Sequence, residues 1–276
     1  MLGDIDIKDL RNLIGTIKEL YKYDFSDYAI SSFKRRILRI LELNKIKSVD
    51  ELIQKIKCSK DFLEEIIREI TVNTTEMFRD PSFWGTLRKD IIPNFSNNHY
   101  IRIWHAACST GEEVFSMCIL LKEMNLLDKA IIYATDINEN VLKTAKSGIY
   151  PIRSLETSNN NYESYQGIQK LSDYYKLSTT NDKVCFDLNL LKNVTFKTHD
   201  LVLDSPFSKF DLILCRNVMI YFNFELQNKV VQLFDQSLFK NGNLALGSKE
   251  TIAWCKAARS FSVISVEDKI YKKITE

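Results

Sequence analysis

The sequence predicts an α/β chain: a mostly parallel sheet, closed by an antiparallel C-terminal hairpin, behind a small N-terminal domain made of helices alone. Three observations predict it. Residues 1 to about 70 carry their apolar residues at helical spacing only. From Ile101 onward, apolar runs of strand length alternate with helical periods, which gives parallel pairing through right-handed crossovers. The run Ile101–Met124 changes period in its middle, from the buried strand Ile101, Ile103, Ala106–Ala107 through Ser109-Thr110-Gly111 to a helix carrying Val114, Phe115, Cys118, Leu121 and Met124. The 276 residues, 45% hydrophobic, are enough for two cores.

In the helical part, Leu10, Leu13, Ile14, Ile17 and Leu20 share one face, as do Phe33, Ile37, Ile40 and Leu41, and then Phe62, Ile66, Ile67 and Ile70. The segment Ser31–Lys47 is nearly one-signed: Lys34, Arg35, Arg36, Arg39, Lys45 and Lys47 are offset only by Glu42. Such a face is either plainly solvated or a docking surface for an acidic macromolecule, with salt-sensitive association. The domains expected are 1–72, helical; 73–94, a junction helix and linker; and 95–276, the sheet domain.

The junction reads Val72-Asn73-Thr74-Thr75-Glu76-Met77-Phe78-Arg79-Asp80-Pro81. Asp80 is a helix cap with Pro81 at the first helical position, and Phe83, Leu87 and Ile91 continue that helix to Pro93. After the central strand-turn-helix the pattern repeats: Ala130–Asp136 is a strand ending in a carboxylate, and Asn138 starts a helix through Val141 and Ala145. Residues 150–192, rich in Ser, Asn and Tyr, form an excursion in which Tyr175–Leu177 and Lys183–Phe186 have strand character. Strands follow at Val194–Thr198, Phe210–Cys215 and Leu244–Gly247, with a helix over Phe224–Leu238, and Phe261–Val266 with Ile270–Ile274 forms the hairpin.

Polar groups therefore collect at one rim of the sheet, where open α/β sheets bind ligands. Gly111 is the only glycine of its turn and two acids follow it, so a phosphate is disfavoured and a hydroxylated cation suits the site. Glu112 and Glu113 equally complement a helix dipole. Asp136 lies about 25 residues beyond Gly111, near the spacing of the ribose-binding acid in dinucleotide folds, and equally able to cap the next helix.

Composition removes other classes. A formal net charge of +2 gives no global case for nucleic acid or membrane. No signal-peptide pattern and no run of membrane-span length is present, which suggests a cytoplasmic protein. The six scattered cysteines lack CxxC spacing, and the three histidines form no ligand pattern, so no metal is expected.

Several segments together resemble the CheR-type chemotaxis methyltransferases: Asn73–Pro81, Cys108-Ser109-Thr110-Gly111-Glu112-Glu113, Ala134-Thr135-Asp136-Ile137, Gly148-Ile149-Tyr150 and Cys215-Arg216-Asn217-Val218-Met219-Ile220-Tyr221-Phe222. The resemblance covers nearly the whole chain. It departs at Ala107, where glycine is common, at Val114-Phe115 for Pro-Tyr, and at Ser248-Lys249-Glu250, which interrupts the usual Ser-Glu.

The resemblance implies a Rossmann-like S-adenosylmethionine-dependent methyltransferase fold, with an antiparallel β-subdomain inserted at about 150–192 that can bind a receptor tail. It implies S-adenosyl-L-methionine as cofactor, S-adenosyl-L-homocysteine as product, and methyl esters formed on glutamates of the cytoplasmic helical bundle of chemoreceptors. By that similarity Asn73, Thr75, Arg79, Ala107, Gly111, Glu112, Glu113, Asp136, Ile137, Asp200, Leu201, Asn217 and Val218 face the cofactor. Of these, Glu112 or Glu113 meets its methionine end, Asp136 the ribose, and Asp200-Leu201 the adenine. Arg79 and Tyr221 stand near the reaction centre, and the basic helix with Lys34, Arg35, Arg36 and Arg39 docks the substrate.

A glutamate is already a carboxylate at neutral pH, so its methylation needs alignment rather than a general base. The chain is expected to act as a monomer, without nucleic acid or membrane insertion. The rival readings are a CheR-like cofactor-binding sensor or scaffold without turnover, and a methyltransferase acting on a protein outside chemotaxis.

Overall fold

The computed structural model describes residues 5–21, 23–71, 75–180 and 182–276. The chain divides into two compact units, Met1–Asn73 with Ile220–Lys229, and Thr74–Met219 with Val230–Glu276. No helix among the described residues is long and apolar enough to cross a membrane.

The first unit holds α1 (Ile7–Tyr21), α2 (Ile30–Leu43), α3 (Val49–Cys58) and α4 (Lys60–Thr71). The apolar stripes point inward as their spacing requires: Leu10, Leu13, Ile17, Phe33, Ile37, Ile40, Ile66 and Ile67 are buried in one core. Leu20 leaves the stripe and is half exposed. Ser48 caps α3 by accepting from the Glu51 N–H at 3.2 Å. A late segment joins this unit: the Ala29 N–H donates to the Tyr221 carbonyl at 2.8 Å, and Phe222 packs edge-on against Tyr28 at 5.3 Å.

The second unit opens with α5 (Pro81–Thr86), which continues as a π turn over Leu87–Ile91 and a 3₁₀ turn over Ile92–Phe95. Then come β1 (Ile101–Ala106), α6 (Glu112–Glu123), β2 (Ala130–Asp136), α7 (Glu139–Ser147), β3 (Ile149–Pro151), α8 (Leu155–Tyr165), β4 (Tyr175–Leu177), β5 (Lys183–Phe186), β6 (Val194–Thr198) and β7 (Phe210–Cys215). α9 (Phe224–Ser237), β8 (Leu238–Leu246), β9 (Phe261–Ser265) and β10 (Ile270–Lys273) complete it, α9 beginning within the first unit.

The main sheet runs β6-β2-β1-β7-β8-β10-β9, parallel from β6 to β8, with β10 antiparallel to both its neighbours. The hairpin thus inserts its second strand beside β8 and leaves β9 at the edge. Register fixes where the loops open. His105 lies opposite Ala134 and Leu214, Asp136 opposite Thr198, and Cys215 opposite Leu246, so five carboxyl ends are level and form one rim.

Two elements depart from expectation for visible reasons. β8 begins at Leu238 rather than Leu244, because its first turn-like residues, Lys240, Asn241 and Gly242, give no apolar run. The excursion holds the expected short strands, ordered β3-β5-β4, and also α8, whose sequence carries no apolar stripe. That helix is ordered by tyrosines: Tyr162 and Tyr165 pack on Phe78 at 4.9 Å each, and both donate hydroxyl hydrogen bonds to Glu123 at the end of α6.

Candidate active site

The centre of the rim is the turn between β1 and α6. Its backbone is left-handed at Ala107, Ser109 and Gly111. Only Gly111 needs to be glycine on space: a Cβ there would lie 2.6 Å from that of Ala145. The turn is held from three sides. The Cys108 N–H donates to the Thr135 carbonyl, the Ser109 N–H to Asp136 Oδ2 at 2.9 Å, and the Tyr150 hydroxyl to the Thr110 carbonyl at 2.9 Å.

Asp136 is buried and does not cap α7; Asn138 does, accepting from the Asn140 N–H at 2.9 Å. The carboxylate of Asp136 instead accepts from the N–H groups of Ser109 and Asn138, and burial raises its pKa against those bonds. Two neighbouring buried polar atoms, Ser109 Oγ and Asn138 Nδ2, have no partner among the described residues. Such orphans beside Asp136 leave polar groups for a ligand to satisfy.

The two glutamates have different surroundings. Glu113 is used up: Oε1 lies 2.9 Å from His105 Nδ1 and Oε2 accepts from Arg216 at 3.2 Å. Burial pushes its pKa up, and His105 and Arg216 more than offset that, leaving it below the usual carboxylate range. Glu112 accepts from the Thr110 hydroxyl at 2.6 Å and from its own backbone N–H, and burial outweighs both and lifts its pKa to about 7. It is a carboxylate in want of a cation.

Arg216 is the hub that the spacing of motifs did not reveal. Its guanidinium, 3% exposed, donates to Asp80 at 2.6 Å and to Glu113, lies 3.5 Å from the Arg79 carbonyl, and covers the Phe83 ring at 3.9 Å. Asp80 therefore binds Arg216 and makes no side-chain cap on α5, contrary to expectation. Its partners stand 103 and 136 residues away in sequence, so only the fold brings them together.

Arg79 sits half-buried between two left-handed residues, Phe78 at φ 50° and Asp80 at φ 56°. Such residues cost about 1–3 kcal/mol each and persist where the surroundings over-determine them. Here Ser116 Oγ accepts from the Phe78 N–H at 2.9 Å, Asn161 donates to the Met77 carbonyl at 3.0 Å, and Trp84 Nε1 donates to the Arg79 carbonyl at 3.0 Å.

At the flanks, Asp200 accepts from the Val202 N–H at 2.7 Å, with its pKa raised by burial, and Leu201 is buried. Ile137, Asn217, Val218 and Thr75 are half-buried in the same unit. Glu250, which sequence reading treated only as an interruption, accepts from the Asn217 and Val218 N–H groups. Asn73 lies outside the described residues, and Tyr221 belongs to the helical unit. The acidic and orphaned polar groups of this rim fit a hydroxylated, positively charged ligand, and S-adenosylmethionine is one.

Residues 73–270 match the CheR methyltransferase SAM binding domain and residues 8–71 the CheR methyltransferase all-alpha domain. The chain is 39% identical over 265 residues, 96% of either chain, to a Pseudomonas putida protein called Cher3, whose name assigns it to the methyltransferases provisionally and without the word chemotaxis. It is 34% identical to the chemotaxis protein methyltransferase of Borreliella burgdorferi, over 88% of each chain, and 32% to that of Listeria innocua, over 91% of this chain and 93% of the other. The chain therefore belongs to the CheR methyltransferase family, and its sheet unit is an S-adenosylmethionine-binding domain.

Proposed function

We propose that the chain is a protein-glutamate O-methyltransferase that esterifies glutamates on the cytoplasmic helical bundle of chemoreceptors. The observation that carries this reading is the rim itself. It combines carboxylates suited to a ribose and an ammonium with one arginine, Arg79, whose backbone is locked on both sides beside the end of β7. S-adenosylmethionine supplies an electrophilic methyl group on a sulfonium centre.

The residues of the chain do the rest. Asp136 accepts from the ribose hydroxyls, Asp200-Leu201 and Ile137 flank the adenine, and Asn217-Val218 line the rim between them. Glu112 takes the ammonium end, since Glu113 is already held by His105 and Arg216. Asn73 and Thr75 are assigned to the cofactor by the family resemblance, while Ala107 and Gly111 let the backbone come close. Arg79 orients the incoming carboxylate through charge-assisted hydrogen bonds, and the role of Tyr221 in catalysis rests on the family resemblance alone. No proton need be removed from a glutamate at neutral pH, so positioning supplies the rate, a contribution of roughly 7–11 kcal/mol when reactants are well oriented.

The basic face of α2 docks the acidic receptor. Arg35 and Arg39 are exposed, and Arg39 lies 3.6 Å from Glu69 of α4, a contact between exposed groups that a partner's acids can exchange. In this reading the chain works as a cytoplasmic monomer. A second reading is a methyltransferase whose protein substrate lies outside chemotaxis.

The deciding experiment incubates the chain with methyl-labelled S-adenosylmethionine and receptor cytoplasmic fragments, then adds base. Volatile labelled methanol is expected, because a glutamyl ester hydrolyses and an N-methyl product does not. Arg79→Ala is expected to lower kcat by about 10²-fold or more. Receptor fragments left unlabelled by an active enzyme would select the second reading, and an Arg79→Ala enzyme with intact turnover would remove the role given to that residue.

A further inference from the structure

β7 leaves the sheet through Arg216-Asn217-Val218, with Asn217 left-handed at φ 62°. A left-handed residue in such a turn aims successive N–H groups to one side, where they form an anion-binding concavity. Buried amides of this kind must find an acceptor. That acceptor comes from the chain itself. The Glu250 carboxylate, 4% exposed, accepts from the N–H groups of Asn217 at 2.8 Å, Val218 at 2.9 Å and Gly247 at 2.6 Å, with Met219 N–H adding to the set.

Gly247 makes the arrangement possible. A Cβ there would stand 2.8 Å from the Asn217 nitrogen and 2.8 Å from Glu250 Oε2, closer than side chains tolerate. The ends of β7 and β8 are thus latched by one carboxylate, with a glycine clearing its path. What the latch fixes is the course of Asn217 and Val218, the stretch read above as facing the cofactor.

We infer that Glu250 is a positioning residue for the S-adenosylmethionine site, filling the amide concavity after β7 so that this part of the rim is formed before the cofactor arrives. The inference rests on the cofactor role of Asn217-Val218. It has a definite electrostatic content: the concavity wants a full set of acceptor lone pairs. Gln at position 250 keeps the shape but replaces one acceptor oxygen by an NH₂ that faces N–H donors. Loss of such a bond set in a buried site leaves donors unpaired, which weakens the preformed state.

The test uses the full chain and S-adenosylhomocysteine as the calorimetric probe, with Glu250→Gln, Gly247→Ala and, as a neighbouring control, Lys249→Ala. Glu250→Gln and Gly247→Ala are each expected to weaken binding by about tenfold or more. In turnover, KM for the cofactor should rise by a similar factor while kcat at saturating cofactor and KM for the protein substrate stay within about twofold, a split that general loss of stability does not produce. Hydrogen exchange adds a readout without ligand: the Asn217 and Val218 amides should be protected in the wild type and exchange faster in Glu250→Gln. Wild-type affinity in Glu250→Gln overturns the inference. If Glu250→Gln does not fold, Glu250→Asp, which keeps the charge and shortens the reach, carries the same expectation and the same contrary result. A folded wild-type chain that takes up no S-adenosylhomocysteine overturns the cofactor reading as well, so the two failures are distinguishable.

Discussion

Glu112 shows how one side chain is set against the stability of its own fold. Its pKa is raised to about 7 by burial, so between the ordinary carboxylate value and 7 the folded chain holds a proton that the unfolded chain has released. Stability from this group is therefore highest at low pH and falls as pH rises toward 7, remaining reduced above it. Glu112→Gln should stabilise the ligand-free chain at pH 8 by about 1–3 kcal/mol, measured by urea unfolding, and should flatten the pH dependence between 5 and 8. Cofactor binding should respond in the opposite sense: the ammonium needs the ionised carboxylate, so affinity should fall about tenfold per pH unit below 7 in the wild type and lose that slope in the variant. Calorimetry across pH reads both effects, and a wild-type affinity flat from pH 5.5 to 8 would remove Glu112 from the site. Arg216 makes the complementary case. Deleting it by Arg216→Ala leaves Asp80 and Glu113 facing each other's neighbourhood without their cation, an expected loss of about 3–5 kcal/mol in unfolding free energy.

At the level of elements, the segment 75–80 is held less by its own sequence than by what packs on it. Phe78 is fully buried among Trp84, Tyr162 and Tyr165, joining the junction to α8 of the excursion. Phe78→Ala should cost about 3–5 kcal/mol and lower kcat beyond what lost stability explains, since the backbone on one side of Arg79 is then free to relax. Phe78→Leu should fall between, by thermal unfolding and by initial rates. The elements whose apolar period is strong were legible in the sequence: β2 from Ala130 to Asp136, β6 and β7 run as their periodicity requires. α8 was not, because three polar-looking residues, Ser158, Tyr162 and Tyr165, are all that it buries. The candidate site was legible in residue type and illegible in conformation. Half of the positive-φ positions among the described residues, Phe78, Asp80, Ala107, Ser109, Gly111 and Asn217, lie in the rim and its supports; Gly111, and more weakly Asp80 and Asn217, are residue types that favour that conformation, whereas Phe78, Ala107 and Ser109 give no sign of it.

At the scale of the whole molecule, local pattern could propose a parallel sheet and a carboxylate-lined rim, because alternation and crossover handedness are properties of neighbouring segments. It could not propose the Asp80–Arg216–Glu113 contacts or the Glu250 latch, which join positions 136, 103 and 33 residues apart in sequence. The charge asymmetry of the helical unit also acts at this scale. Reversing Arg35 and Arg39 to Glu should raise KM for receptor fragments by about tenfold at low salt, with kcat and cofactor affinity unchanged, and the effect should shrink as ionic strength rises. Equal KM values at every salt concentration would remove the docking role from α2. The most direct test of the account is tandem mass spectrometry of receptor fragments after reaction with the wild-type chain and S-adenosylmethionine. The account predicts one added methyl on glutamate side chains, lost on mild base treatment and absent with Arg79→Ala; a base-stable methyl on lysine, arginine or a backbone amine would contradict it.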